Sequence, residues 1–131
     1  MKKLPYDQDT AFAPIGFLGA VPLIVAVNND LPVKTLKELI TLTKSQPGKL
    51  SFASASTSQL ISSEMMLSMA GAKMINVPYK SGPAAMTDLI GGQVQMFTAD
   101  FAVMLPQVQS GKVKGLAVTS LKRSKAIPEL P

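Results

Sequence analysis

The sequence has 131 residues, with no cysteine, histidine or tryptophan. That length fits one domain, and 47% apolar against 16% charged residues fits a packed core rather than a disordered chain. Disulfides, thiolate nucleophiles, imidazole-ligated zinc and Ser-His-Asp catalysis are all excluded at once. Thirteen basic residues against eight acidic ones give a formal charge of +5, but the lysines are scattered and Arg123 is the only arginine. A nucleic-acid surface clusters its charge and interleaves aromatics, which make up only 5% here. No nucleic-acid partner is expected, and a modest positive field suits a small anion better.

Elements alternate along the chain. Ala20–Val27 is an apolar, β-branched run bounded by Gly19 and Asn28-Asn29, the pattern of a buried strand. Thr35 with Glu38 three residues on forms a capping-box pattern before a helix that Pro47-Gly48 ends. Leu50–Ala53 is a short strand. Ser56-Thr57-Ser58 opens a helix whose expected apolar face is Leu60, Ile61, Met65 and Met69, stopped by Gly71. Met74–Val77 is a strand, and Ser81-Gly82-Pro83 starts a helix that runs to Ile90 and stops at Gly91-Gly92. Val94–Thr98 is a strand, Phe101–Gln109 a helix broken or kinked by Pro106, and Val113–Thr119 a last strand. The tail Ile127–Pro131 stops without a closing element. This order argues a single α/β domain over 1–131, with a mainly parallel sheet of about five strands and helices on both faces.

The chemistry-bearing positions follow strand ends. In open α/β sheets, ligands bind beyond the carboxyl ends of strands, next to helix starts that offer unpaired N–H groups and the positive end of a dipole. Ser54-Ala55-Ser56-Thr57-Ser58 is one such place, and its hydroxyls suit a carboxylate or phosphate, though one of them suffices for plain capping. Tyr79-Lys80-Ser81-Gly82-Pro83 is a second, where Gly82 allows close approach of backbone to a ligand. Asp100 is a third, able to accept from a ligand hydroxyl or ammonium, or simply to cap a helix. Met65, Met69, Met86, Met96 and Met104 read as core filler. Gly91-Gly92 lacks phosphate-loop spacing, and no close pair of carboxylates points to a glycosidase or a hard-metal site. No catalytic residue, metal or cofactor is expected.

The N-terminus Met1-Lys2-Lys3 begins like a leader, but polar residues Asp7, Gln8 and Asp9 replace the apolar stretch a signal peptide needs. The longest apolar run is too short to cross a bilayer.

At these residues the sequence resembles the substrate-binding receptors of tripartite tricarboxylate transporters, the Bug receptor family. The segments carrying the resemblance are LPYDQDTAFAPIGFLG, NNDLPVKTLKELITLTKSQPGKLSFASAS, VPYKSGPAAMTDLIGGQVQMF and LPQVQSGKVKGLAVTSLKRSKAIPELP, in order over nearly the whole chain. The resemblance implies the second lobe of a two-lobe, type II periplasmic-binding-protein-like receptor, with the first lobe and a C-terminal return segment missing. It implies a periplasmic, non-enzymatic protein, membrane transporter subunits as partners, and a small carboxylate held by backbone amides in the cleft between lobes. Contacts from this lobe would fall on Ala55, Ser56, Thr57, Ser58, Ser81 and Gly82, and near Ala99 and Asp100. Three positions depart from the family pattern: Gln59 stands where histidine is common, Ser81-Gly82 inverts the usual order, and Asp100 is displaced by one. An exposed cleft face is expected to self-associate. The alternative is a freestanding interaction or ligand-sensing module.

Overall fold

The computed structural model describes residues 5–7, 10–16 and 19–131. The leader-like Met1–Leu4 start and Gln8, Asp9, Phe17 and Leu18 of the first family-like segment lie outside the described residues. The elements are β1 (Leu23–Val27), α1 (Leu36–Ser45), β2 (Ser51–Ser54), α2 (Thr57–Ala70), β3 (Ile75–Pro78), α3 (Gly82–Ile90), β4 (Met96–Asp100), α4 (Phe101–Gln109) and β5 (Lys114–Val118). They build one five-stranded sheet in the order β3-β2-β4-β1-β5.

The sheet is mixed, which corrects the expectation of a mainly parallel one. β2 pairs parallel with β3 and β4, whereas β1 runs antiparallel to both β4 and β5. The LIVAV run of β1 is buried at all five positions. A run buried on both faces marks a central strand, but its pattern carries no direction.

Side chains alternate between two cores, one on each face. Ile24, Ala26, Ala53, Phe97 and Ala99 pack with Ala85 and Leu89 of α3 and Met104 of α4. Val25, Val27, Phe52 and Met96 pack with Leu39 of α1 and Leu67 of α2. The expected helices on both faces are therefore present. The crossover from β2 through α2 moves outward to β3, and the one through α3 moves back past β2 to β4. Reversing direction while keeping one crossover hand forces α2 and α3 onto opposite faces.

Local chemistry explains the boundaries. Thr35 Oγ1 accepts from Glu38 N–H at 3.2 Å, as expected of the cap, but the Glu38 carboxylate accepts from Lys34 N–H at 2.7 Å. β1 begins at Leu23, after Pro22, which has no N–H to give a sheet. β3 includes Pro78, tolerable because β3 is an edge strand. α4 runs through Pro106 without ending. Gly71 closes α2 in the left-handed region at φ 61°, its N–H returning to Leu67 and Ser68 carbonyls.

Two expectations fail together, the apolar face assigned to α2 and the reading of Met65 and Met69 as core filler. Ile61, Met65 and Met69 are not the buried face of α2: Met69 is 86% exposed, and the other two more than half. The buried positions are Gln59, Ser63 and Leu67, flanked by half-buried Leu60 and Met66. Apolar residues surround this helix, so no single stripe dominates its sequence. Met86, Met96 and Met104 are core, as expected.

The C-terminal tail, expected to lack a closing element, packs back on the domain. Ile127 and Leu130 are buried in the α3/α4 core, and Val118 N–H donates to the Pro131 carbonyl at 2.8 Å. Arg123 Nη1 donates to the Pro128 and Glu129 carbonyls and holds the turn. Gly115 makes this possible: a Cβ there would lie 2.8 Å from Leu130 Cδ1 and 3.1 Å from Val108 Cγ1. Among the described residues, no helix is long and apolar enough to cross a membrane.

Candidate functional site

β2, β3 and β4 run parallel, so their carboxyl ends reach the same edge of the sheet. Each end passes within a few residues into a helix: Ser54 into α2, Pro78 into α3, Asp100 into α4. α2 departs toward one face while α3 and α4 depart toward the other, the arrangement of a topological switch point at the β2 end. The loops are direct neighbours. Ser54 is in register with Pro78, and Tyr79 N–H donates to the Ser54 carbonyl at 2.7 Å. All the sequence-selected loops, Ala55–Ser58, Ser81-Gly82 and Asp100, therefore converge on one edge.

Within α2's start, the hydroxyls divide their work. Ser54 Oγ turns away and donates to Asn76 Oδ1 at 2.7 Å, across the β2–β3 pair. Ser56 is the N-cap, its Oγ accepting from Gln59 N–H at 3.4 Å and lying 3.1 Å from Ser58 Oγ. Capping thus occupies one hydroxyl, leaving exposed Thr57 and Ser58 beside first-turn N–H groups that have no intrahelical acceptor. Ala55 is half-buried, and its N–H is taken by Gln59 Oε1 at 2.9 Å.

The α3 start is freer. Ser81 is the N-cap but makes no side-chain capping bond, and Pro83 sits in the first turn. A Cβ on Gly82 would meet nothing within 4 Å, so packing does not demand glycine there and the backbone faces open space. Lys80 is exposed beside it. Tyr79 anchors the loop from behind, its hydroxyl donating to Asp88 Oδ2 at 2.7 Å. Burial first, then the hydrogen bond and charge of Asp88, push the Tyr79 phenol up to about 12.

Asp100 is the last residue of β4 and the N-cap of α4, paired in register with Leu23 of β1. Its carboxylate is exposed and makes no capping bond, so capping alone does not account for it. Leu23 N–H donates to Thr119 Oγ1 at 2.8 Å, which brings the β5 end to the same edge. Sequence reasoning did not identify Thr119 or Gln59 as contributors. Thr119 carries no local motif and is placed here only by strand pairing, whereas Gln59, three residues after the Ser56 cap, fits a capping-box spacing that was not used.

A separate groove of about 620 Å³ lies on the α1/α2 face, lined by Leu36, Ile40, Met65 and Met69 among others. None of its lining residues is charged, and its polar side chains are the hydroxyls of Ser62 and Thr119, so it suits an apolar occupant better than an anion. Among the described residues, no cluster of three or more acidic side chains that could hold a metal ion occurs.

The profile of the tripartite tricarboxylate transporter family receptor matches residues 1–131. Protein BugT of Bordetella pertussis is 32% identical over 133 residues, covering 100% of this chain and 41% of BugT. Among solved structures, an R. palustris protein with adipate superposes with a TM-score of 0.87 at 28% identity, over 99% of this chain and 44% of its own. The periplasmic binding protein BugD gives a TM-score of 0.80 at 35% identity, over 85% of this chain and 38% of its own. The chain thus spans about two-fifths of the length of the proteins it matches. The matching family is one of transporter receptors, and BugD is a periplasmic binding protein.

Proposed function

The chain belongs to the tripartite tricarboxylate transporter receptor family, and from that premise we propose that it supplies one lobe of a two-lobe periplasmic solute receptor. In this reading the domain of residues 1–131 is the second lobe, and its ligand is a small carboxylate. The observation that carries the reading is the convergence of the α2, α3 and α4 starts on one sheet edge. Three helix starts concentrate unpaired N–H groups and positive dipole ends, and an anion is the complement of both. Ser56, Thr57, Ser58, Ser81 and Gly82, with the Ala55 turn, line the anion side. Asp100 stands at the far side, suited to a ligand hydroxyl or ammonium. Adipate in the R. palustris relative's structure supports the carboxylate class. Transporter subunits in the membrane are the proposed destination of the loaded receptor.

A single lobe encloses a ligand on one side only, and small-molecule sites gain most of their affinity from enclosure. Binding by this chain alone is expected near the millimolar range, worth about 4 kcal/mol. Titrating ¹⁵N-labelled protein with adipate tests this. The amide signals of Ser56, Thr57, Ser58, Ser81 and Gly82 are expected to move together. Absence of any shift, or shifts confined to the α1/α2 face, overturns the reading, and submicromolar binding overturns the one-lobe argument. The same open edge, with exposed Val21 and Leu121 near it, is the proposed surface for self-association. A strict monomer at high concentration in sedimentation equilibrium would refute that part.

A further inference from the structure

We propose that Gln59 is a ligand-contacting, specificity-determining residue of this site, with its side-chain NH2 donating to the ligand's carboxylate. The inference rests on the receptor reading above and deepens it. Gln59 is only 5% exposed, at the third position of α2 after the Ser56 cap, where a glutamine side chain reaches back toward the helix start. Its Oε1 accepts from Ala55 N–H at 2.9 Å. A backbone N–H can only donate, so this bond fixes which end of the carboxamide is oxygen and which is nitrogen.

The nitrogen end is left over. No acceptor among the described residues takes a hydrogen from Nε2, and no fully buried side-chain nitrogen or oxygen among them lacks a partner. Nε2 is therefore the part of Gln59 that still reaches solvent. Its covalent link to Oε1 keeps it beside the Ala55 turn and the exposed Ser56–Ser58 segment. A nearly buried donor, held in one orientation and short of an acceptor, is arranged for an incoming one. Because it donates only, it selects an ionised carboxylate over an ammonium or other donor group. The Ala55 N–H is at the same time withdrawn from ligand binding, so the anion is left to the N–H groups that follow it.

The substitution Gln59→Glu separates holding the loop from reading the ligand. Glutamate keeps the acceptor for Ala55 N–H and nearly the same shape, but replaces the donor by a negative oxygen. With adipate as the probe, Q59E is expected to bind roughly tenfold more weakly or worse, with the Ala55 amide signal near its original position. In the unsubstituted protein, the Gln59 side-chain NH2 signals should move along with the Ser56–Ser58 amides. Unchanged adipate affinity in Q59E overturns the inference and leaves the receptor reading intact. So do NH2 signals that stay fixed while those amides move. A wild-type protein with no response to adipate overturns both. Should Q59E fail to fold, the side-chain NH2 signals of the unsubstituted protein decide the question by themselves: movement with the Ser56–Ser58 amides supports the inference and fixed signals overturn it.

Discussion

Ser63 Oγ donates to Thr98 Oγ1 at 3.0 Å across the contact between α2 and β4, and both side chains are sealed from solvent. The pair sits just behind the site and fixes the helix start of α2 against the strand that ends in Asp100. Removing one hydroxyl strands the other. Ser63→Ala or Thr98→Val is expected to cost ~1–3 kcal/mol each in urea unfolding. The double variant should cost less than the sum, since it removes the orphan as well as the bond. Additivity of the two losses would show that the hydroxyls do not depend on each other.

Asn28 joins β1 to the end of α3. It is 5% exposed, its Nδ2 donates to the Leu89 and Ile90 carbonyls at 2.8 and 3.1 Å, and its Oδ1 accepts from Asp30 N–H at 2.8 Å. Asn28→Asp keeps the last bond and turns a carboxylate oxygen toward two carbonyls. A loss of at least ~2 kcal/mol is expected at neutral pH. Equal stabilities of N28D and wild type by calorimetry would contradict the assignment.

Gly115 has no room for a methyl group between Leu130 and Val108. Gly115→Ala is expected to destabilise by ~1–3 kcal/mol through overpacking. Leu130→Ala in the same chain should relieve the closest contact and recover part of that loss. If G115A unfolds at the wild-type denaturant concentration, the tail does not press on β5 as described.

Tyr79 gives a pH signature. Its phenol is neutral when protonated, and folding raises its pKa from 10.0 to about 12. The unfolded state therefore ionises first as pH rises. The stabilisation is fully present below pH 10 and is lost as pH climbs through about 12. Tyr79→Phe should remove this alkaline decline in stability. The phenolate absorbance difference between wild type and Y79F should titrate near the raised value, and a midpoint at the ordinary tyrosine value would rule out the bond to Asp88.

Much of the architecture was legible because local signals agreed with one another. Thr35 and Ser56 are true caps, Gly71 is a true stop, and each expected strand and helix is present. The three loop sites were legible because helix-starting residues follow strand ends directly. Direction and facing were not. Nothing in LIVAV distinguishes an antiparallel β1 from a parallel one. In α2, Ile61, Met65 and Met69 are as apolar as Leu60, Met66 and Leu67, and only the approach of Ser63 to Thr98 shows which side meets the sheet. Gln59 was singled out only as a departure from the family pattern, and its bond to the Ala55 N–H shows only once the β2–α2 turn closes.

The folded-back tail has a further effect. An outer strand with free N–H and C=O groups is a template for any extended backbone, including that of a neighbouring molecule. Val118 already spends its N–H on Pro131, and the anchors Ile127 and Leu130 keep that partner seated. Strand exchange or fibril growth at β5 would first have to pull two side chains out of a closed interior, so the tail acts as a built-in guard against polymerisation from that margin.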